Sequence, residues 1–182
     1  TDFELPQDVG FPAGDDGTVT FVLQIHYDNP LLQAYVDSGG FDVLYTEDAC
    51  EHSAGTLKMG DIAGIAIPPG EEAYEHIADC PGSQTQSWSE KNVIGTWLHA
   101  HELGTRLWSE HVRGGEVIGE LGRADPFSFD NQAYVPLETT SFMPGDGLRT
   151  HCIYDSTGKT ETTYGGEATQ DEMCINFLLY YP

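Results

Sequence analysis

His99 and His101, separated by one alanine, and Met173, much further along the chain, are the residues whose types and spacing could do chemistry. Side chains i and i+2 of an extended strand point to the same face, so two imidazoles at this spacing could hold one metal ion. The thioether of Met173 would be a soft third ligand, and soft sulfur selects copper, especially Cu(I), over zinc or magnesium. A His-x-His pair alone is more often two surface histidines, and Met173 alternates with Ile175 and Phe177 as a core residue would. The combination of the three nonetheless predicts a copper site.

Four cysteines, Cys50, Cys80, Cys152 and Cys174, show no CxxC or zinc-ribbon spacing. Their even number suggests two disulfides formed in an oxidising compartment, and hence a secreted, extracellular or secretory-lumen protein. Three pairings are possible, of which the order along the chain favours Cys50–Cys80 and Cys152–Cys174. In a cytosolic protein all four would instead be free thiols.

The charge balance of the chain excludes several classes of partner. With 30 acidic and 7 basic residues among 182, the formal net charge is −23, so we expect neither nucleic acid nor an anionic membrane surface as a partner. A solvated surface suited to salty surroundings accounts for this charge, whereas calcium binding lacks the support of a DxDxDG spacing. No apolar run approaches the roughly 20 residues of a membrane-spanning helix, so no membrane insertion is expected.

The hydrophobic periodicity is two residues almost throughout the chain. Val19, Phe21, Leu23, Ile25 and Tyr27 alternate with polar residues, as in a half-buried strand. Turn sequences rich in glycine and proline separate the similar runs. These runs lie at about 41–47, 57–67, 93–102, 105–112, 132–138, 147–154 and 174–181. The pattern predicts an all-β fold, an antiparallel β-sandwich of jelly-roll type.

The domain organisation follows from the position of the first strand. Residues 1–30 are interpreted as a linker and a strand that ends a preceding domain. Residues 31–182 are interpreted as the sandwich domain itself.

Several short motifs occur in one order along the chain, and together they resemble the copper type II, ascorbate-dependent monooxygenases. The chain is more similar to the dopamine β-hydroxylase branch than to the peptidylglycine branch. The resemblance covers nearly the whole chain, but only the C-terminal half of the family's two-domain catalytic core. The motifs are residues 23–30, 66–69, 98–101, 144–146, 172–176 and 180–182.

This resemblance implies roles for individual residues. His99, His101 and Met173 resemble the ligands of the copper that binds O2, and ascorbate would be the electron donor. His26 resembles the third histidine of a second copper, which transfers electrons from a preceding domain. The disulfide implied behind the methionine agrees with the Cys152–Cys174 pairing.

The chain also departs from the family pattern. No adjacent His-His pair occurs, so the second copper needs an N-terminal copper domain, either on the same precursor or on a separate chain. Trp97 stands where the peptide-processing enzymes have an arginine, and Phe177 stands where they have a tyrosine. We therefore expect a substrate pocket of Trp97, Phe177 and Asn176 that takes a small aromatic or apolar molecule.

Two further functions compete with the O2-binding half of a monooxygenase that hydroxylates an activated C–H bond. The missing His-His pair and the acidic charge favour a non-catalytic extracellular structural or adhesion module that retains the sandwich. A copper carrier or sensor is the third hypothesis.

Overall fold

The computed structural model describes two compact units, residues 1–53 and 54–182. Within them it describes residues 4–14, 20, 22, 29, 31–40 and 42–182. The expected strand at 19–27, which includes His26, lies outside the described residues. The expected boundary after residue 30 stays a prediction. No helix of the described part is long and apolar enough to cross a membrane.

The N-terminal unit contains one pair of short strands. Strand β1 (Val9–Gly10) pairs in parallel with β2 (His52–Ser53). The prediction of a strand at 41–47 is wrong for residues 42–46, which the structure describes as irregular. The apolar side chains there lie exposed, as at Leu44, and without a neighbouring strand an alternating pattern has no ladder to join.

The C-terminal unit consists almost entirely of strands and two short 3₁₀ helices, Gly82–Gln84 and Phe129–Asn131. The strands are β3 (Gly55–Asp61), β4 (Ala66–Ile67), β5 (Tyr74–Cys80), β6 (Lys91–His99), β7 (Gly104–Arg113), β8 (Glu116–Ala124), β9 (Val135–Phe142), β10 (Asp146–Tyr154), β11 (Thr163–Tyr164) and β12 (Cys174–Tyr181).

Eight of these strands form the predicted antiparallel β-sandwich. One sheet has the order β5-β10-β7-β8 and the other the order β3-β12-β6-β9, with antiparallel pairing between all neighbours. Strands β4 and β11 form a small additional pair. The all-β sandwich is therefore confirmed, and the jelly-roll type stays our interpretation of this strand order.

The Cys152–Cys174 disulfide joins the two sheets through the core. Cys152 lies in β10 and Cys174 begins β12, and both side chains are fully buried beside Leu98, Leu107 and Tyr154. Because the bond closes a loop of 22 residues, it lowers the entropy of the unfolded chain and stabilises the fold by about 3 kcal/mol. The bond thus fixes the start of β12 against the opposite sheet.

The expected Cys50–Cys80 disulfide is not formed in the structure, in which both residues are free thiols. Cys50 belongs to the N-terminal unit and Cys80 to the C-terminal unit. The Cys80 thiol instead donates to Gln84 Oε1 at 3.5 Å.

A buried ion pair holds the turn that leads into β10. Asp146 is almost fully buried and accepts hydrogen bonds from His111 Nε2, Arg113 Nε and the Met143 N–H, each at 2.7 Å. Burial alone would raise the pKa of Asp146, but these hydrogen bonds outweigh it and lower the pKa from 3.8 to about 2. The ionised carboxylate therefore stabilises the folded state.

Replacement Asp146→Asn is expected to cost about 2 kcal/mol of unfolding free energy above pH 5, because a lowered pKa stabilises the fold only while the group is ionised. The difference from wild type should shrink as the pH falls from about 5 to below 2, where the wild-type side chain becomes neutral as well. Urea denaturation at a series of pH values measures this difference. The exposed Asp130→Asn serves as the control, and a difference for Asp146→Asn that stays constant with pH would contradict the account.

Candidate metal site

The two histidines of the His-x-His motif lie where β6 ends. His99 is the last residue of β6, and His101 follows in the turn that leads to β7, so the strand expected to reach residue 102 is shorter in the structure. The two imidazole centroids are 5.2 Å apart, with ring planes at 84°. His99 is partly buried and His101 is buried. The structure therefore brings the two rings together, as the spacing predicts.

Both imidazoles use Nδ1 for hydrogen bonds. His101 Nδ1 lies 2.9 Å from the backbone oxygen of Asp171, and His99 Nδ1 lies 2.6 Å from Gln132 Oε1. A carbonyl oxygen can only accept, so the ring nitrogen facing it carries the proton. The Nε2 atom of a neutral ring held in this way keeps its lone pair, which is the form that binds a metal ion.

Burial favours the neutral form of His99. Burial lowers the pKa of this imidazole, and the positive charges of His101 and Lys58 lower it further. The hydrogen bond to Gln132 acts in the opposite direction but does not outweigh burial. The lowered pKa favours the neutral imidazole, which is the form that a metal ligand takes.

Met173 immediately precedes β12, and the neighbouring strand β6 ends at His99. Strand β12 pairs with β6 so that Ile175 lies opposite His99, and extending this antiparallel register by two residues places Met173 opposite His101. The Met173 side chain is buried, and its backbone oxygen accepts a hydrogen bond from the Tyr154 hydroxyl at 2.8 Å. The thioether therefore belongs to the same end of this sheet as the two imidazoles.

The donor set fits copper in type. In the part of the chain that the structure describes, no group of three or more His, Cys, Asp or Glu side chains is arranged to hold a metal ion. At the His-x-His motif the third donor available is the sulfur of Met173, and two imidazoles with one thioether are ligands suited to Cu(I).

A buried carboxylate connects the two ligand-bearing segments. Glu172 is fully buried, and its two oxygens accept the N–H groups of His101 at 2.9 Å and Leu103 at 2.7 Å. Burial raises the pKa of Glu172, although these N–H donors partly offset the effect. The sequence analysis does not assign this role to Glu172. The available signal is an acidic residue directly before Met173 and Cys174, two residues that are buried in the structure.

Aromatic rings form a wall beside the histidines. Trp97 and Phe177 lie opposite each other on β6 and β12, with ring centroids 5.4 Å apart. Their centroids lie 6.1 Å and 6.2 Å from that of His99. Trp97 is 41% exposed, so this wall is open to solvent and can contact a ligand.

Asn176, expected in the same pocket, lies elsewhere. Its side chain is fully buried between the sheets, where Nδ2 donates to Ser109 Oγ and the Leu121 oxygen, both at 2.9 Å, and Oδ1 accepts from Thr96 Oγ1 at 2.6 Å. Successive residues of a strand point to opposite faces, so Asn176 points away from the side on which its neighbour Phe177 lies. The expectation that Asn176 lines the pocket is therefore corrected: it ties the two sheets together.

Comparison with known proteins identifies similar chains. A family model described as "Copper type II ascorbate-dependent monooxygenase, C-terminal domain" matches residues 52–182. Tyramine beta-hydroxylase of Caenorhabditis briggsae is 35% identical over 97% of this chain and 32% of its own length. Dopamine beta-hydroxylase of Canis lupus familiaris is 34% identical over 99% of this chain and 30% of its own length. DBH-like monooxygenase protein 1 of Homo sapiens is 32% identical over 99% of this chain and 31% of its own length. The chain thus spans about a third of the length of these relatives.

Replacement Glu172→Gln is expected to lower the unfolding free energy by about 1–3 kcal/mol, because an amide offers one acceptor oxygen where two buried N–H groups need acceptors. Amide hydrogen exchange at His101 or Leu103 should become faster in this variant. Urea denaturation and exchange followed by NMR measure the two effects. The exposed neighbour Glu102 provides the control Glu102→Gln, and equal stability of both variants would disprove the bridging role.

Proposed function

Because the chain belongs to the copper type II, ascorbate-dependent monooxygenase family, we propose that it supplies the O2-binding half of an enzyme that hydroxylates an activated C–H bond. In this proposal residues 31–182 are the C-terminal catalytic domain, and residues 1–30 contain the end of a preceding copper domain. The observation that carries the proposal is the pair of imidazoles at His99 and His101, whose centroids are 5.2 Å apart and whose Nδ1 atoms are both already hydrogen-bonded.

His99, His101 and Met173 would hold the copper ion in this proposal. When bound, copper supplies the one-electron redox chemistry that O2 requires, and ascorbate is the electron donor. The chain's own residues would orient the ligands. Glu172 fixes the His101 backbone, and the Met173 side chain is buried.

A second copper site would be completed outside this chain. His26 is the proposed ligand from this chain, and the remaining ligands would come from an N-terminal domain on the same precursor or on a separate polypeptide. The relatives are about three times as long as this chain, which supports such a domain. The Cys152–Cys174 disulfide supports a secreted or secretory-lumen location, since disulfides persist in oxidising compartments.

The substrate class is proposed from the aromatic wall. Trp97 and Phe177 offer uncharged ring faces, with the cationic Lys58 opposite Phe177 on β3. Two relatives are named for the hydroxylation of tyramine and dopamine, which are small aromatic amines. We therefore propose a small aromatic or apolar substrate that lies against Trp97.

Loading with Cu(I) under anaerobic conditions is expected to give one tightly bound copper per chain, lost in the double variant His99→Ala/His101→Ala. Met173→Leu should keep the core packed and weaken Cu(I) more than Cu(II), because thioether sulfur favours Cu(I). Elemental analysis after desalting measures stoichiometry, and X-ray absorption detects the Cu–S contribution that Met173→Leu should remove.

The control His52→Ala/His76→Ala removes two imidazoles outside the motif and should retain the copper. Near-UV circular dichroism checks that every variant is folded. Copper that survives the loss of His99 and His101 would contradict the assigned site. A folded wild-type chain that binds no copper would favour the non-catalytic extracellular module.

Tyramine is expected to bind the copper-loaded chain and to lose about two- to tenfold in affinity in Trp97→Ala, because a stacked aromatic pair contributes about 0.5–1.5 kcal/mol. Isothermal titration calorimetry measures this affinity. Trp108 lies in the other sheet, stacked on His151 with centroids 4.5 Å apart, so Trp108→Ala is the matched control. Equal losses in both variants would refute a substrate wall at Trp97.

A further inference from the structure

We propose that Gln132 is a positioning residue that sets which nitrogen of His99 is free to bind metal. This inference deepens the proposed function and rests on it only for the identity of the metal. The hydrogen-bond geometry itself belongs to the metal-free chain. Gln132 lies in the segment between β8 and β9. It is the first residue of the strand run expected at 132–138 and lies outside the family motifs.

The orientation of the Gln132 amide follows from its partners. Its Nε2 lies 3.2 Å from the backbone oxygen of Ala100 and 3.0 Å from that of Phe129. Both oxygens are acceptors only, so the amide must present its NH₂ group to them. Its Oε1 then faces His99 Nδ1 at 2.6 Å.

The tautomer of His99 follows in turn. An amide oxygen can only accept, so the facing Nδ1 of the neutral ring carries the proton. The lone pair is then on Nε2, the other ring nitrogen. Without this acceptor a neutral imidazole can carry its proton on either nitrogen, and part of the population would have to rearrange before binding metal. Gln132 removes this requirement.

The segment that carries Gln132 is anchored on both sides of it. Phe127 is buried in the core, and its N–H donates to the Thr105 oxygen at 2.7 Å. On the other side the Tyr134 hydroxyl donates to the Ile94 oxygen at 3.1 Å. The Tyr134 ring covers Gly95 so closely that a Cβ there would lie about 2.0 Å from it. Gln132 is therefore presented by a fixed backbone.

The two histidines differ in how this control is exerted. His101 donates to the backbone oxygen of Asp171, which no side-chain substitution removes. His99 depends on the side chain of Gln132. The proposal therefore predicts an effect confined to one of two neighbouring ligands, with the other as an internal reference.

The test uses the metal-free, ¹⁵N-labelled chain at about pH 9, where imidazoles with an ordinary pKa near 6.5 are neutral. Long-range ¹H–¹⁵N NMR spectra distinguish the Nδ1–H and Nε2–H tautomers, and His99→Ala assigns the His99 signals. Wild type should show His99 as Nδ1–H. Gln132→Met, similar in length but without an acceptor oxygen, should show a mixture or the Nε2–H form.

Gln132→Glu separates the tautomer effect from a merely structural one. Its carboxylate still accepts from Nδ1–H but no longer donates to Ala100 and Phe129, so the Nδ1–H form of His99 should persist. His101 should remain Nδ1–H in every variant, and Asn131→Ala should leave both rings unchanged. A wild-type His99 in the Nε2–H form, or a Gln132→Met variant that keeps Nδ1–H, would overturn the proposal.

Copper affinity provides the second readout. Competition with a Cu(I) chelator should show about a 10–100-fold weaker affinity for Gln132→Met, the usual effect of losing a hydrogen-bond partner of a metal-bound histidine. If the wild-type tautomer is Nδ1–H but no copper binds, the role of Gln132 stands and the proposed function fails. An unchanged affinity in the presence of a changed tautomer would show that Gln132 does not position the ligand for metal.

Discussion

The antiparallel register between β6 and β12 is the constraint on which the rest of the site depends. Opposite pairs Ile175–His99 and Phe177–Trp97 lie on these strands, and a shift of one residue would turn every side chain to the other face. Extended two residues beyond the ladder, the same register would place Met173 at the level of His101. Cys174, at the start of β12, then reaches across to β10, so the disulfide and the pairing with β6 fix this strand from two sides.

Buried polar groups make this register specific. Asn176 bonds to Thr96 in its own sheet and to Ser109 and Leu121 in the other, and Glu172 receives two backbone N–H groups. A buried polar group without a partner costs free energy, so a slipped strand would leave these groups unsatisfied. Apolar packing alone would distinguish the correct register from a slipped one less sharply.

The residues that the sequence predicts are those whose role shows in local spacing. The His-x-His pair and the alternating strands need only neighbouring positions, and the structure brings the rings of His99 and His101 to within 5.2 Å of each other. That these two residues and Met173 bind a metal stays a prediction. Asn176 was assigned to the pocket although its position has the opposite parity to Phe177, so strand periodicity already contained that correction. The expected Cys50–Cys80 pairing linked residues of two different compact units, because order along the chain does not show where one unit ends and the next begins. Gln132 could not be predicted, since its contact with His99 depends on the path of an irregular segment.

The unequal exposure of the site determines the direction from which a ligand can approach. His101 and Met173 are buried at 6% and 9% exposure, whereas Trp97 is 41% exposed. Phe129 packs edge-on against His101, with centroids 6.1 Å apart, and so covers that ring on the side of the 3₁₀ helix. Among the described residues the accessible approach therefore lies along His99 and the Trp97–Phe177 wall. A molecule that approaches along this side meets the aromatic faces beside His99. In the proposed function, the strand pair that carries the ligands would therefore also select the substrate.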